Sequence, residues 1–594
     1  MIEQAWSTFC GQSDLHPTLC SWLAAIPKRT IRRRPLLCLL EAVLLADHRD
    51  FAGAERWARF ADEALACSQS TVSEDLACSV RGMVAAIRAS FAGLQGRSDE
   101  AIRTAEMALR DLPPGNAAFR GTAMLGLGYA AVDQGDLPRA THAFAECLAL
   151  SRTAASEMQL LAAAVHLAYV QRAQGNLTLA LQTCTDALAW VATQGRQSSL
   201  LVGLVYVCHA DLLRERNELD GALRSARDGV TFCARWPDPT MQALSLLVLA
   251  RVQLAQGEFD GAADTLARAR GSTEVELVKT RTSHAGSDAG GDVRAEDMAS
   301  LASLLRVFAI QMQLAQGVEV SGWPSDQHGS SSLEWPCSPR GYRPLFQVYT
   351  AEHVFIAPAQ ALLAQAQLRN DAEALRQALA RVDELRQHAE TLGLRWLEIK
   401  AEVLAALAHH ALGARSQAVA MLWQALVHAH AEQYVRVFAD EGAPLVVLLD
   451  QLACQCETGY EATAPLDPAY ISLVRTAAAA FAARAGWRSS SASPGKLPRP
   501  FALRDPLTTR EEEVLRLLAD GYSNEEIATA LVVAMGTVKA HVQHIYRKLG
   551  AHSRTHALAR ARELQLLPRH DRAMNPPLSA VRQCATRTLA DGRR

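Results

Sequence analysis

The chain has 594 residues, of which 49% are hydrophobic and 6% aromatic, with a formal net charge of −2. Its length predicts about four ordinary domains, or fewer if one is a repeat array, and the apolar, aromatic-poor composition favours an alanine-rich helical solenoid. No apolar run approaches the ~20 residues that a bilayer-spanning helix needs, which argues against a membrane partner.

Thirteen cysteines are scattered through helical segments. Because no apolar signal segment stands at the start, we interpret them as reduced thiols of a cytoplasmic protein. Cys454-x-Cys456 is the only close pair, and no second pair or histidine stands at zinc-finger spacing. We interpret His409–His410 and His428-x-His430 as helix residues, so the sequence predicts neither a metal nor a cofactor.

The first part of the chain repeats a short turn. Its copies begin at Gly96, Gly135, Gly175, Asn217 and Gly257, which are 39, 40, 42 and 40 residues apart. Apolar helical runs precede and follow each copy, and the sixth position is alanine each time. Such a period predicts an α-solenoid of helix pairs that bury their faces only against neighbours. The unit resembles a tetratricopeptide repeat, and we assign residues 1–487 to this domain.

Several stretches do not fit the repeat. Gly271–Asp297 is rich in Gly, Ser, Thr and charge, and we predict loop insertions near 271–297 and 317–344. Residues 488–503 are a Ser/Pro-rich linker, and residues 568–594 form a polar, basic tail that we predict to be disordered.

Residues 504–567 predict four short helices. Thr508 and Glu511 have the spacing of a capping box, Gly521 provides a left-handed stop, and Ser523 and Glu526 form a second box. Only three residues separate the second of these helices from the third. A short turn between two helices is the helix-turn-helix arrangement, whose second helix can enter the DNA major groove.

The second helix of the helix-turn-helix pair is predicted from about Met535 to Leu549 and has two distinct faces. At 100° per residue, one face is apolar and predicted to be buried: Val538, Val542, Ile545 and Leu549. The opposite face holds hydrogen-bond donors and one small residue: Lys539, Ala540, Gln543 and Arg547.

Charge is segregated around this helix. No Asp or Glu occurs from Ile527 to Arg562, a run that carries six Lys or Arg residues, including Arg547 and Arg554. From Arg504 onward there are 15 Lys+Arg against 10 Asp+Glu, or +5, which leaves −7 for the rest of the chain. Only the C-terminal part therefore favours a polyanion, and the run suits a surface against phosphates.

The segments LTTREEEVLRLLADGYSNEEIA, GTVKAHVQHIYRKLG and SRTHALARAREL resemble the DNA-binding domain of LuxR-type (GerE-like) bacterial transcription regulators. Region 4 of sigma factors shares the first half but not the continuation HIYRKLGAHSR. The resemblance implies that Lys539, Ala540 and Gln543 face base edges, and that Thr537 and Lys548 lie near phosphates. We add Arg547 and Arg554 to the phosphate set from the basic run. Relatives usually have Ser where this chain has Ala534, so the helix start should be softer or capped by Thr537.

The opening from Leu19 and the segment Ala425–Leu452 resemble the repeat domain of large LuxR regulators of the MalT type. Those regulators carry an ATPase ahead of the repeats. Here the only Gly-Lys pair, Gly495-Lys496, lies in the linker without the spacing of a phosphate loop. Their ATP switch therefore cannot be carried over. The chain is either a shortened regulator or part of a longer one.

The sequence thus predicts an all-α protein, a tetratricopeptide-like α-solenoid followed by a four-helix LuxR-type helix-turn-helix domain. It predicts a non-enzymatic transcription regulator that binds promoter DNA as a homodimer in the bacterial cytoplasm, at the nucleoid. The solenoid would sense a small-molecule effector or a protein partner. The alternative is a protein-interaction scaffold whose DNA-binding domain is non-functional or non-specific.

Overall fold

The architecture comes from a computed structural model. It describes residues 16–47, 51–67, 74–193, 201–235, 239–283, 290–315, 344–369, 371–457, 466–485, 508–531, 533–549, 551 and 553–563. Across these ranges every regular element is a helix, which confirms the all-α prediction. No helix among the described residues is both long and apolar enough to cross a membrane.

The chain divides into two compact units, residues 1–489 and 490–594. The first unit contains helices α1 His16–Ala24, α2 Lys28–Ile31, α3 Pro35–Asp47, α4 Phe51–Cys67, α5 Glu74–Leu94, α6 Ser98–Asp111, α7 Ala117–Asp133, α8 Leu137–Thr153, α9 Glu157–Ala173, α10 Leu177–Thr193 and α11 Leu201–Glu215. It continues with α12 Leu219–Cys233, α13 Pro239–Gln256, α14 Phe259–Ser283, α15 Gly290–Ala315, α16 Pro344–Arg369, α17 Ala372–Leu392, α18 Arg395–Ala411, α19 Arg415–His430, α20 Arg436–Ala439, α21 Ala443–Glu457 and α22 Pro468–Arg484.

The predicted turns between paired helices are confirmed. Gly96, Gly135, Gly175, Asn217 and Gly257 all have a positive φ, between 64° and 90°. After Gly135, the Asp136 amide donates to the carbonyl of Ala131 at 2.9 Å, and the corresponding bond recurs at the other four turns at 2.8–2.9 Å. This bond satisfies a carbonyl that a helix end leaves unpaired, and it needs the left-handed residue before it.

The turn geometry that recurs in the five repeats also explains the alanine at the sixth position. The alanine at the sixth position has no exposed surface in any of the five copies, namely Ala101, Ala140, Ala180, Ala222 and Ala262. These residues lie where the second helix of each pair meets the first. A small side chain there lets the two helices approach closely.

The later helices of the unit pack back against the earlier repeats. The Tyr434 hydroxyl donates to the carbonyl of Arg172 at 3.0 Å, and the Val435 amide donates to the carbonyl of Glu215 at 2.9 Å. One repeat further along, Arg484 Nη1 donates to the carbonyl of Gln256 at 2.8 Å. The two residues before α20 and the end of α22 thus contact the C-terminal ends of α9, α11 and α13.

The segment near 271–297, which we predicted as a loop insertion, is helical in its described residues, 271–283 and 290–297. Residues 284–289 lie outside the described part of the chain. Helix α14 runs through Ser283 and α15 begins at Gly290. The buried stripe of α14 continues past Ala269 to Thr273, so the packed part of the helix supports its polar continuation. Extending an existing helix costs little, and an internal glycine adds only about 1 kcal/mol. The predicted insertion near 317–344 lies, except for Pro344, outside the described residues.

The second unit contains α23 Thr509–Ala519, α24 Asn524–Leu531, α25 Met535–Leu549 and α26 Arg554–Glu563. Its core consists of buried apolar residues from all four helices, centred on Leu518, Ile527, Val538 and Ile545. The predicted linker 488–503 and tail 568–594 lie outside the described residues.

Candidate nucleic-acid interface

Helix α23 begins with the predicted capping box. Thr508 Oγ1 accepts from the Glu511 amide at 3.3 Å, and the Thr508 amide donates to Glu511 Oε2 at 2.7 Å. The same oxygen accepts from Lys548 Nζ at 2.9 Å, so one carboxylate joins the start of α23 to the end of α25. Burial raises the pKa of the Glu511 carboxyl, but the hydrogen bonds from Thr508 and Lys548 outweigh it and hold that pKa below its ordinary value.

Helix α24 has the second predicted box. The Ser523 amide donates to Glu526 Oε2 at 2.8 Å, and the Glu526 amide donates to Ser523 Oγ at 3.3 Å. These bonds lower the pKa of the Glu526 carboxyl, the largest contribution coming from the Ser523 amide. Gly521, with φ 94°, allows the chain to turn between the two helices.

Helix α25 begins without a side-chain acceptor at Ala534. The carbonyl of this residue accepts from the amides of Thr537 at 2.9 Å and Val538 at 3.3 Å. Ser, Thr, Asp or Asn at such a position would also satisfy a donor through its side chain. The side chain of Thr537 is exposed at the first turn of the helix.

The two faces of α25 are as predicted. Its buried residues are Val538, Val542, Ile545 and Leu549. The side chains predicted to face DNA bases, Lys539, Ala540 and Gln543, are all exposed, as is that of Arg547. The packing that buries one side of the helix therefore leaves a continuous polar face on the other.

Two of the predicted phosphate-binding residues also hold the unit together. The Lys548 side chain is only 8% exposed, and its ammonium forms the ion pair with Glu511. Arg554 Nη2 donates to the carbonyls of Leu518 and Tyr522 at 2.9 and 2.7 Å, which ties α26 to the end of α23. These intramolecular contacts give Lys548 and Arg554 a structural role. Binding of phosphates by the two residues stays a prediction.

Two features of the first unit were not predicted from the sequence. The first is a carboxylate–imidazole group, in which His428 Nδ1 lies 3.1 Å from Glu402 Oε2 and 4.0 Å from Glu398 Oε1. This group is a geometric candidate for a metal site. Arg395 Nη1 lies 2.9 Å from Glu398 Oε2, so a cation already pairs with one of the two carboxylates, and we interpret the group as an ion-pair cluster.

The second feature is a cavity of about 130 Å³ that lies where the later helices meet the earlier repeats. Its wall is partly apolar, including Phe308, Ile356 and Trp396, and partly charged, including Glu215 and Arg436. The sequence pattern assigned Trp396 to the core, which is correct, since it is 4% exposed. The pattern did not show that the same side chain lines a cavity.

The second unit therefore has the architecture of a helix-turn-helix protein: two capped helices, a short turn, and a following helix with one buried and one exposed face. Residues 505–561 match the family described as bacterial regulatory proteins, luxR family. Residues 82–285 and 296–455 match the MalT-like TPR region. The chain belongs to the MalT-like LuxR regulators, and it is a DNA-binding transcription regulator.

Proposed function

We propose that α25 reads promoter sequence in the DNA major groove. The observation that carries this proposal is the exposed face of Lys539, Ala540 and Gln543, opposite the buried stripe and inside the segment that matches the luxR family. Lysine and glutamine both donate to base edges, and a small residue between them allows close approach. We assign Thr537, Arg547, Lys548 and Arg554 to phosphates, on the resemblance to the luxR family and on the basic run that carries the last three.

Variants of the exposed face test the assignment. We expect Gln543→Ala to change the preferred base at one position of the site by about 1–3 kcal/mol, because a side-chain contact to a base edge carries that much discrimination. Lys539→Ala should weaken binding to the preferred site. Both effects are measured by mobility shift and by sequencing the genomic fragments that the full-length protein retains.

Arg516→Ala is the matched control. Arg516 is exposed on α23, a different helix from the one that carries the proposed reading face, so its variant should retain the base preference of the parent protein. If Lys539→Ala and Gln543→Ala retained both affinity and base preference like this control, the proposed reading face would be rejected.

We further propose that the protein binds paired half-sites as a homodimer, in the bacterial cytoplasm at the nucleoid. A dimer of helix-turn-helix units places its half-sites about 10–10.5 base pairs apart, or a multiple of that distance. Footprinting should therefore give two protected half-sites with this spacing. A single protected half-site at saturation would contradict the dimer.

We also propose that the solenoid senses an effector or a protein partner and passes this signal to DNA binding. The cavity where the later helices meet the earlier repeats supports a small-molecule effector. The competing function is a scaffold with non-specific DNA binding. A scaffold would show equal affinity for all genomic fragments and no change of DNA affinity with any ligand, whereas a regulator shows a sequence preference.

A further inference from the structure

The strongest unassigned feature is the cavity of the solenoid and its unusual wall. The structure places four cationic side chains on it, Arg214, Arg251, Lys400 and Arg436, and three anionic ones, Glu215, Asp440 and Glu441. These groups are already paired to a large extent. Arg214 Nη1 donates to Asp440 Oδ2 at 2.8 Å, and Lys400 Nζ donates to Glu441 Oε1 at 2.5 Å. The near balance of charge disfavours a ligand with a large net charge.

Two charged side chains of the wall, Glu215 and Arg436, each have one polar atom without a hydrogen-bond partner among the described residues. Glu215 has no exposed surface; its Oε1 binds Arg214, while its Oε2 accepts no hydrogen bond. Arg436 is 1% exposed; its Nη2 binds Asp440, while its Nε has no acceptor. A buried polar atom without a partner carries a desolvation cost. One atom is a negatively charged acceptor and the other belongs to a positively charged donor.

Most of the remaining wall is apolar, apart from Gln311, Gln360 and Gln367. Phe308 and Ile356 are buried, and the ring of Trp396 carries the Arg172 guanidinium 4.6 Å from its centroid. The volume of about 130 Å³ is close to the ~150 Å³ of an engineered cavity that accommodates benzene. The cavity therefore suits a molecule with fewer than about ten non-hydrogen atoms, part polar and part apolar.

We propose that this cavity binds a small zwitterion with an apolar side chain, of the α-amino-acid class. The ammonium group would donate to Glu215, the carboxylate would accept from Arg436, and the apolar side chain would pack between Phe308, Ile356 and Trp396. The proposal rests on the effector-sensing role of the solenoid and names the chemistry of the effector. A purely apolar ligand would pair with neither Glu215 Oε2 nor Arg436 Nε, and an anion would not pair with Glu215 Oε2.

Calorimetry on the full-length protein without DNA tests the ligand class. The ligands are L-leucine, L-valine and L-methionine, and two analogues of leucine that each lack one charged group, 4-methylpentanoate and 3-methylbutylamine. Glycine and glucose complete the panel. We expect at least one of the three amino acids to bind. The two leucine analogues should bind at least tenfold more weakly than leucine, and glycine at least tenfold more weakly than the amino acid that binds best. Binding by none of the three amino acids, equal binding of 4-methylpentanoate and leucine, or preferred binding of glucose would each overturn the proposal.

Two variants locate the site. Glu215→Gln removes the charge that should bind the ammonium, and we expect at least a tenfold loss of affinity. Glu402→Gln is the matched control, since Glu402 is also fully buried with one paired and one unpaired oxygen, yet it does not line the cavity. Its variant should bind like the parent protein, and equal losses in both variants would overturn the location.

Ala364→Phe keeps the test decisive if Glu215→Gln fails to fold. Ala364 lines the cavity, and a phenyl group there would occupy its volume without changing the charged network. A variant that folds by circular dichroism and still binds the amino acid would overturn the location. Mobility shifts with and without the amino acid distinguish this ligand site from the proposal that the solenoid regulates DNA binding. If the amino acid binds and DNA affinity does not change, the ligand site is kept and its effector role is rejected.

Discussion

Ala534 stands where the helix proposed to read DNA begins, and it is a helix start without a side-chain cap. Its carbonyl is used by two backbone amides, but its methyl side chain accepts nothing. We expect Ala534→Ser to stabilise the unit by about 1 kcal/mol, because a serine hydroxyl at the N-cap satisfies one of the amides of the first turn.

Chemical denaturation of the second unit measures this effect. Thr529→Ser, on the exposed side of α24, is a control that adds no cap and should leave stability within about 0.5 kcal/mol of the parent. A destabilised Ala534→Ser variant would show that the backbone geometry at this position does not admit a side-chain cap.

We expect His428 to make the stability of the first unit depend on pH, because its imidazole pairs with the buried carboxylate of Glu402. The hydrogen bond to Glu402 is the main cause that raises the pKa of His428, against the opposing effect of burial, and Glu398 adds to the rise while Arg395 opposes it. A histidine whose pKa is higher in the folded than in the unfolded state stabilises the fold fully below about 6.5. This contribution to stability is lost as the pH rises through the raised pKa of His428 in the folded protein.

We therefore expect the first unit to be less stable above that raised pKa than at pH 6, and the His428→Gln variant to lose part of this difference. Unfolding by denaturant at a series of pH values measures it. His142→Gln, at an exposed position of α8, should keep the pH dependence of the parent. If His428→Gln kept it too, the ion pair with Glu402 would not be its source.

At the scale of the helices, the turn residues explain why the repeat period could be read from the sequence. Gly413, between α18 and α19, has φ 78°, and a Cβ atom built there meets nothing within 4 Å. Its substitution therefore tests backbone conformation without a steric clash. We expect Gly413→Ala to destabilise the first unit by about 1–2 kcal/mol, the cost of a left-handed conformation with a Cβ atom.

Gly115→Ala is the matched control for this turn. A Cβ atom there also meets nothing within 4 Å, but Gly115 is not among the residues with positive φ. Its variant should therefore be within about 0.5 kcal/mol of the parent in denaturant unfolding. Equal effects of the two substitutions would contradict the conformational explanation.

The features predicted correctly are those that a few adjacent residues determine. The Thr508–Glu511 box, the left-handed turn at Gly135 and the buried stripe of α25 each depend on spacings of three to six residues. The difference at residues 271–283 and 290–297 has the opposite origin. Glycine and serine indicated a loop, but the packed stripe of α14 supports the helix as far as Ser283.

The cavity belongs to the scale of the whole first unit, and local patterns carry no information about it. Arg214 and Asp440 are 226 residues apart in the sequence, and Arg172 and Tyr434 are 262 apart. Each of these residues lies on or beside a helix whose local pattern gives only a buried or exposed face. Which faces meet depends on the small rotation from one repeat to the next, summed over the array. For the same reason, the sequence pattern could predict that Trp396 is buried but could not predict that it lines a cavity.

The second unit has a core of its own, and this leads to a prediction for the whole molecule. Every buried residue of that core, from Val514 to Ala561, lies in or beside α23–α26. The ion pair of Lys548 with Glu511 and the bonds of Arg554 join the same helices. We therefore expect the fragment 490–594 to fold on its own in one cooperative transition. At about 0.05–0.15 kcal/mol per residue over its roughly 60-residue core, its stability should be about 3–9 kcal/mol.

Denaturant unfolding and mobility shifts on this fragment provide the measurement. The fragment should keep the base preference of the full-length protein, because the exposed face of α25 needs only its own unit for support. Ile545→Ala, which removes a fully buried side chain, should cost about 2–5 kcal/mol and remove most of that stability. If the parent fragment were unfolded, its core would depend on residues 1–489. Ile545→Ala would then have no further effect on the fragment.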